Sequence, residues 1–256
     1  MSKQSEVFSL TKDDGTVKTK EDFIKEMEKF YEQAVDVPDS YKEGDLFRLC
    51  TNPLTQINPE ESTKTFDFIN RVIRINEEIT DKLAKEVITA LQFWSGIDDF
   101  DRVPEDEREP ISIMIDTCGG SLSAGYAIYN AICLCPTPVI TWNCGKAWSA
   151  GFIIFLAGKY RVSFPNSYFL FHQGSGGFMG DAQKCLQYAD FYKRLLKDMK
   201  NIVLEKTKIT NDEYESHIND DWWISTDEAI RYGIADDVVK TSSVLSLIGG
   251  IDNKWI

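Results

Sequence analysis

The sequence is poor in basic residues and has no long apolar stretch. Its 28 Lys and Arg stand against 41 Asp and Glu, which gives a formal net charge of −13. Nucleic acids and anionic membranes attract clustered Lys and Arg, so this charge argues against both as binding partners. The longest apolar run, residues 147–158, is too short to cross a bilayer. The amino terminus lacks the apolar core of a secretory signal, so we expect a cytoplasmic protein.

Histidines are scarce, and the cysteines are not arranged as ligands. The chain contains 6 Cys and 2 His, and no two cysteines form a Cys-x-x-Cys pair. Zinc sites draw on closely spaced Cys and His, so we expect no bound metal. Reduced, buried thiols are typical of cytosolic proteins, which agrees with the expected location.

What the sequence does contain is a regular alternation of strand-like and helix-like segments. Alternating apolar residues predict strands over residues 71–75, 111–115, 139–144, 160–163, 168–171 and 235–239. Amphipathic helices are predicted over residues 80–94, 124–134, 149–157, 181–206 and 211–218, and a capping box opens another at Ser225. Strands that alternate with helices in this way predict an α/β domain with a mostly parallel sheet.

The two ends of the chain differ from this central part. Residues 1–65 are predicted to be an extension with a helix at about 20–34, followed by an acidic and then an extended loop over 41–65. The helix prediction rests on one apolar stripe: Phe23, Ile24, Met27, Phe30 and Tyr31. Residues 66–240 form the predicted main domain, in which the acidic segment 98–109 is expected to be a surface loop. Residues 241–256 form a tail.

Ser149 lies where a predicted strand turns into an apolar helix. A helix amino terminus has unpaired N–H groups and partial positive charge. A serine there can attack an acyl carbon while nearby amides hold the oxyanion. It can equally be a structural cap for a buried helix. The local sequence does not choose between a nucleophile and a cap.

A serine nucleophile needs a base, and the chain offers two histidines. His172 ends a predicted strand and precedes a glycine-rich stretch, whereas His217 is expected to be a solvated surface residue. Asp221 precedes Trp222, so its carboxylate is a candidate to orient an imidazole in a partly dry site. Gly119 and Gly120 form either an oxyanion loop or a plain tight turn. They lack the pattern of a phosphate loop.

A series of motifs resembles the ClpP family, the proteolytic subunits of Clp serine proteases. The motifs are Gly119-Gly120-Ser-x-x-Ala-Gly125, Ala127-Ile-Tyr129, Gly145-x-Ala-x-Ser149-x-Gly151, Pro165-Asn-Ser167, His172-Gln-x-x-x-Gly177, Trp223-Ile-Ser225-x-x-Glu228-Ala229 and Tyr232-Gly-Ile234. They occur in the family's order between residues 71 and 239. The resemblance implies the crotonase-like α/β spiral of that family.

The resemblance also implies a role for individual residues. Ser149 matches the nucleophile, His172 the general base and acid, and Asp221 the residue that orients the histidine. Gly120 and Ala150 match the positions whose amides form the oxyanion hole. The substrate-binding strand corresponds to Gly174, Ser175, Gly176 and Gly177.

The family's assembly implies partners for this chain. In the family, two seven-membered rings stack into a tetradecamer through the long helix and the strand after the histidine. An AAA+ unfoldase feeds unfolded protein into the chamber and uses the ATP, so this chain itself is expected to need no cofactor.

The chain departs from the family pattern at several positions. Trp148 replaces a small residue, Asp220 stands where Arg is common, and Ser112 replaces an aromatic of the unfoldase-docking cleft. A short amphipathic helix is also expected to be missing before Arg71. These departures leave two alternatives to a peptidase. One is a ClpP-like structural or regulatory subunit with weak activity; the other is a crotonase-type acyl-CoA enzyme, disfavoured because the expected glutamates are absent.

Overall fold

The computed structural model describes residues 59–174, 179–217 and 219–240. The chain divides into two compact units, Met1–Ser62 and Thr63–Ile256. The helix predicted at 20–34 and the tail at 241–256 lie outside the described residues. The domain boundaries predicted at residues 65 and 240 therefore stay predictions.

Helices and strands alternate along most of the described part of the chain. The helices are α1 (Pro59–Ile69), α2 (Asp81–Phe100), α3 (Leu122–Cys133), α4 (Ala150–Leu156), α5 (Ala182–Lys206), α6 (Asn211–His217) and α7 (Thr226–Arg231). The strands are β1 (Val72–Ile75), β2 (Ile111–Thr117), β3 (Val139–Trp148), β4 (Tyr160–Ser163), β5 (Tyr168–Phe171), β6 (Trp222–Ser225) and β7 (Asp237–Val238). This order confirms the predicted α/β class.

The strands form one sheet that branches at β3. The main path runs β1-β2-β3-β4-β7, and every pair along it is parallel. The first half of β3 pairs with β4, whereas residues 146–148 pair with β5. β5 in turn pairs with β6 in antiparallel fashion. The branch therefore places the ends of β3, β5 and β6 next to one another.

The core forms because helices cover the apolar strands. Ile111, Ile113 and Ile115 on one face of β2 are fully buried, and Ser112 and Met114 on the other face are buried too, which fits a parallel strand covered on both faces. All seven residues of α4 are buried as well. Helix α2 contributes the predicted apolar face, and Thr80 caps it by accepting a hydrogen bond from the Leu83 N–H. No helix among the described residues is long and apolar enough to span a membrane.

Two predicted loops are partly helical. Helix α1 begins at Pro59, so the end of the loop predicted over 41–65 is wrong. The helix runs to Ile69, so the expectation that no short helix precedes Arg71 is wrong as well. The segment 98–109 is not wholly a surface loop either, because Asp98 lies in α2 and is only 3% exposed. Asp98 accepts two hydrogen bonds from the Arg71 guanidinium, at 2.8 and 2.6 Å, and one from the Thr137 hydroxyl. These partners allow a carboxylate to be buried.

The predicted end of β3 is also wrong. The strand continues four residues beyond the expected stop, to Trp148, because it gains β5 as a second partner. Asn143 stabilises the place where β3 changes partners. Its side-chain amide donates to the Tyr168 carbonyl, and its side-chain oxygen accepts from the Gly145 N–H. This extension carries the chain directly to Ser149.

Candidate active site

Ser149 forms a strained turn between β3 and α4. Its backbone has φ 55° and ψ −120°, a combination that non-glycine residues rarely adopt. Such a conformation costs about 1–3 kcal/mol and persists only where the surroundings enforce it. Here the Ser149 N–H donates to the Leu170 carbonyl at 2.8 Å, and the Ser149 carbonyl accepts from the Phe152 N–H at 3.0 Å.

The Ser149 side chain does not cap helix α4. No capping hydrogen bond is made by its hydroxyl. The interpretation of Ser149 as a structural cap is therefore wrong. A serine held on a sharp strand-to-helix turn, with its hydroxyl left out of the backbone hydrogen bonds, has the local geometry of a nucleophile elbow.

His172 and Asp221 face each other across two antiparallel strands. In the β5–β6 ladder Phe171 is opposite Trp222, so the next pair outward is His172 and Asp221. The His172 Nδ1 and the Asp221 Oδ1 are 3.6 Å apart. This separation is within ion-pair range but too long for a good hydrogen bond. Catalytic hydrogen bonds are often long in the absence of substrate.

The parallel β3–β5 ladder brings Ser149 to the level of this pair. Trp148, the last residue of β3, is the register partner of Leu170. Ser149 follows it and is therefore level with Phe171, the last residue of β5. His172 is the next residue. No hydrogen bond joins the Ser149 hydroxyl to the His172 imidazole among the contacts of the described residues. The three predicted catalytic residues thus share one end of three adjacent strands, with the serine not yet hydrogen-bonded to the histidine.

The glycine loop before α3 lies directly against the Ser149 turn. A Cβ atom at Gly119 would be 2.8 Å from the Ser149 Cβ and 3.3 Å from the Ala150 nitrogen. Gly120 forms a parallel bridge with Ile79, in which Gly119 O and Ser121 N make the two bonds. Because its neighbours make these bonds, the Gly120 N–H points away from Ile79. The loop is therefore more than a plain tight turn.

The rest of the predicted site is described in part. Gly174 has φ 78°, and Ser175, Gly176 and Gly177 lie outside the described residues. The Tyr192 hydroxyl donates to the Gln173 carbonyl at 3.0 Å, which fixes the start of the glycine-rich stretch to α5. His217 is not simply solvated, since its ring stacks on Trp222 with centroids 4.1 Å apart.

Trp223 belongs to one of the matched motifs, but its contact with Trp148 next to the site was not predicted from the sequence. The Trp223 ring meets the Trp148 ring edge-on, with centroids 5.0 Å apart and planes at 90°. The alternation in β6, with Trp222 and Ile224 buried and Trp223 exposed, is the signal that could have revealed it. The described residues contain no group of three or more metal-ligating side chains. A pocket of about 900 Å³ lies elsewhere, near Cys133, Lys159 and Arg161.

Comparisons with known proteins identify the family of this chain. The family model described as Clp protease matches residues 59–242. Among curated relatives, an ATP-dependent Clp protease proteolytic subunit 2 from Pseudomonas aeruginosa is 28% identical over 181 residues, 70% of this chain and 86% of the relative. A proteolytic subunit 1 from Leifsonia xyli is 30% identical over 183 residues, 71% of this chain and 89% of the relative.

A further relative and a solved structure extend the comparison. A proteolytic subunit 2 from Chlamydia muridarum is 33% identical over 175 residues, 68% of this chain and 82% of the relative. The structure of a ClpP1 mutant from Listeria monocytogenes superposes with a TM-score of 0.59 at 26% identity, covering 71% of this chain and 96% of that one. The chain, with its crotonase-like spiral and its serine at the end of β3, belongs to the Clp protease family.

Proposed function

We propose that this protein is a serine endopeptidase of the ClpP type that hydrolyses peptides and unfolded polypeptides. The observation that carries the proposal is the arrangement of Ser149, His172 and Asp221 at the ends of three adjacent strands. Each strand end is fixed by backbone pairing. The arrangement therefore does not depend on a flexible loop.

The chemistry follows from these positions. Ser149 attacks the scissile carbonyl while His172 accepts the hydroxyl proton and then delivers it to the leaving amine. Asp221 orients the imidazole and stabilises its charged form. The N–H groups of Gly120 and Ala150 stabilise the oxyanion. Water, deprotonated by His172, then hydrolyses the acyl-enzyme.

Substrate selection is proposed to rest on backbone pairing. Gly174, Ser175, Gly176 and Gly177 follow β5 and His172 closely in sequence, and we propose them as the substrate-binding segment. An extended peptide that pairs with it is held by main-chain hydrogen bonds, a mode that accepts many side chains. Such a mode suits unfolded polypeptides.

The assembly and partners are proposed from the family. The chain forms heptameric rings that stack into a tetradecamer, and an AAA+ unfoldase delivers substrate and consumes the ATP. The chain itself uses no cofactor. Cys118, Cys133, Cys135 and Cys144 are free thiols, which supports a reducing, cytoplasmic location.

One observation favours a second candidate, a ClpP-like subunit with weak activity. His172 and Asp221 are 3.6 Å apart, and Ser149 makes no hydrogen bond to His172. A serine-reactive fluorophosphonate distinguishes the two candidates. We expect it to label Ser149, and we expect Ser149→Ala to abolish both labelling and cleavage of a fluorogenic peptide.

The matched control is Ser123→Ala, which removes an exposed hydroxyl from the helix after the glycine loop. It is expected to leave labelling and cleavage unchanged. Labelling without peptide turnover would favour the weak subunit. Cleavage that persists in Ser149→Ala would overturn the assignment of the nucleophile.

A further inference from the structure

We propose that Trp148 and Trp223 act together as a positioning pair, which holds the strand that carries Asp221 against the turn that carries Ser149. The inference rests on the proposed serine peptidase function. Trp148 departs from the family pattern. In this proposal Trp148 supports catalysis and does not block the active site.

The need for such a pair follows from the sheet topology. Strand β6 has four residues and, among the described strands, pairs only with β5. Backbone hydrogen bonds therefore fix β6 directly to β5, which carries His172, and link it to β3 only through the three-residue pairing of β5 with β3. Ser149 directly follows β3. A contact between side chains of β3 and β6 adds a direct link between the strand that precedes the nucleophile and the strand that follows the carboxylate.

The indole pair makes this contact in the row next to the catalytic residues. Trp148 is the register partner of Leu170, and Leu170 is the register partner of Trp223. The three side chains form a row across β3, β5 and β6. Since side chains alternate between the faces of a sheet, His172 and Asp221 are on the same face, two residues further along their strands. The edge-to-face geometry of the rings is the favourable one for aromatic pairs.

The Trp148 ring is kept for its shape rather than for a hydrogen bond. Its Nε1 atom is buried and has no hydrogen-bond partner. A buried donor without a partner is unfavourable. The Lys146 ammonium is 5.9 Å from the ring centroid and 3.6 Å from an Asp116 carboxylate oxygen. The Trp148 ring therefore contacts a cation, Lys146, and packs at a right angle against the Trp223 ring. These two contacts restrict the orientation of the Trp148 ring.

The test compares three single variants in the full-length protein. Trp223→Ala removes the contact, Trp223→Phe keeps a ring, and Trp148→Phe keeps the ring and removes the unpaired N–H. We expect Trp223→Ala to lower kcat about tenfold or more with a change of about twofold or less in KM, because misplacing catalytic groups affects the chemical step. The rate of fluorophosphonate labelling should fall in parallel. Both Phe variants should retain most of the activity.

A control and a double variant separate positioning from general destabilisation. Tyr168→Ala removes an exposed aromatic from β5 on the same face and should leave kcat unchanged. If the two indoles act as one unit, Trp148→Ala with Trp223→Ala should lower kcat little more than either change alone. Thermal melting and native mass of each variant show that folding and assembly are kept.

The outcomes for this inference differ from those for the proposed function. Three results would overturn the positioning role. The first is an unchanged kcat in Trp223→Ala, and the second is a loss of kcat in the double variant that equals the product of the two single losses. The third is a loss of kcat in Trp223→Phe as large as that in Trp223→Ala. These results leave the labelling of Ser149 in the wild-type protein untouched. Absence of that labelling is what contradicts the proposed function.

Discussion

Gly119 is the residue at which the glycine loop and the Ser149 turn approach most closely. A Cβ atom there would be 2.8 Å from both the Ser149 Cβ and the Trp148 carbonyl oxygen. The backbone of Gly119 also has φ 101°, which side-chain-bearing residues rarely adopt. A larger residue must therefore push the loop and the turn apart.

Gly119→Ala is predicted to lower kcat/KM by about 100-fold, because a displacement of about 1 Å in a catalytic group has effects of this size. Cleavage of a fluorogenic peptide measures it. Gly96→Ala is the matched control, since no atom lies within 4 Å of a Cβ there and the position is an exposed one in α2. It should keep full activity and raise the free energy of unfolding by up to about 1 kcal/mol. Full activity in Gly119→Ala would show that the loop does not contact the reacting serine turn.

At the residue scale, the sequence was sufficient to nominate the candidate site residues, but it did not predict their backbone conformation or the distances between them. The sequence marks each of the three candidate residues by its place at the end of a predicted strand. Ser149 follows a tryptophan, His172 comes two residues before a glycine, and Asp221 precedes a tryptophan. The strained backbone of Ser149 could not be predicted, since it depends on the bond from its N–H to the Leu170 carbonyl, a contact between distant parts of the chain. The distance of 3.6 Å between the His172 and Asp221 side chains likewise depends on how β5 pairs with β6, two strands that are far apart in the sequence.

At the scale of elements, predictions succeeded where a local signal marks a boundary. Thr80 and Asp181 cap α2 and α5, and Ser225 with Glu228 forms the predicted capping box. They failed where an element ends for tertiary reasons. Strand β3 extends to Trp148 because its second half pairs with β5. Asp98 remains in helix α2, where it is hydrogen-bonded to Arg71. Neither partner is close in sequence.

The Arg71–Asp98 ion pair connects the start of β1 to the end of α2. Burial by itself raises the pKa of Asp98, but the hydrogen bonds from Arg71 and Thr137 and the positive charges of Arg71 and Arg108 together lower it by more, so the pKa lies below its ordinary value. A carboxylate with a lowered pKa contributes stability above its unfolded-state pKa of about 3.9, and this contribution is lost as the pH falls through the folded-state value.

Asp98→Asn is predicted to lower the free energy of unfolding at pH 7 by about 3–5 kcal/mol, because the buried Arg71 charge loses its two-bond partner and keeps only the exposed Glu109 carboxylate, 3.8 Å away. Urea unfolding measures the loss. The deficit relative to wild type should begin to shrink as the pH falls below ~3.9 and should continue to shrink through the lower folded-state pKa, where the native carboxylate becomes protonated. Glu86→Gln is the control. Glu86 pairs with Lys82 and both side chains are more than half exposed, so the expected loss is under about 1 kcal/mol. Equal losses in the two variants would contradict the argument from burial.

At the scale of the whole molecule, helix α5 exposes apolar side chains over its first half, where we propose that it contacts another subunit. It has 25 residues and so spans about 37 Å. Its buried residues are Met199 and Val203, both in its last third. Earlier in the helix, Leu186 is 63% exposed and Phe191 52% exposed. Exposed apolar side chains grouped on one element are typical of an interface.

Leu186→Glu is predicted to weaken assembly, because a charge at a buried subunit interface must lose its hydration without gaining a partner. Native mass spectrometry measures the distribution of oligomers, and we expect a shift from rings to smaller species. Peptide cleavage should fall with the ring population if the catalytic residues depend on assembly to close the gap between His172 and Asp221.

Gln187→Glu is the control for this prediction, since it adds the same charge to the next exposed position of α5 without removing an apolar side chain. It should leave the mass distribution and the activity as in wild type. A wild-type distribution in Leu186→Glu would mean that this part of α5 does not lie between subunits. If rings were lost while cleavage per subunit persisted, the catalytic residues would be complete in one chain, and assembly would serve only to enclose them.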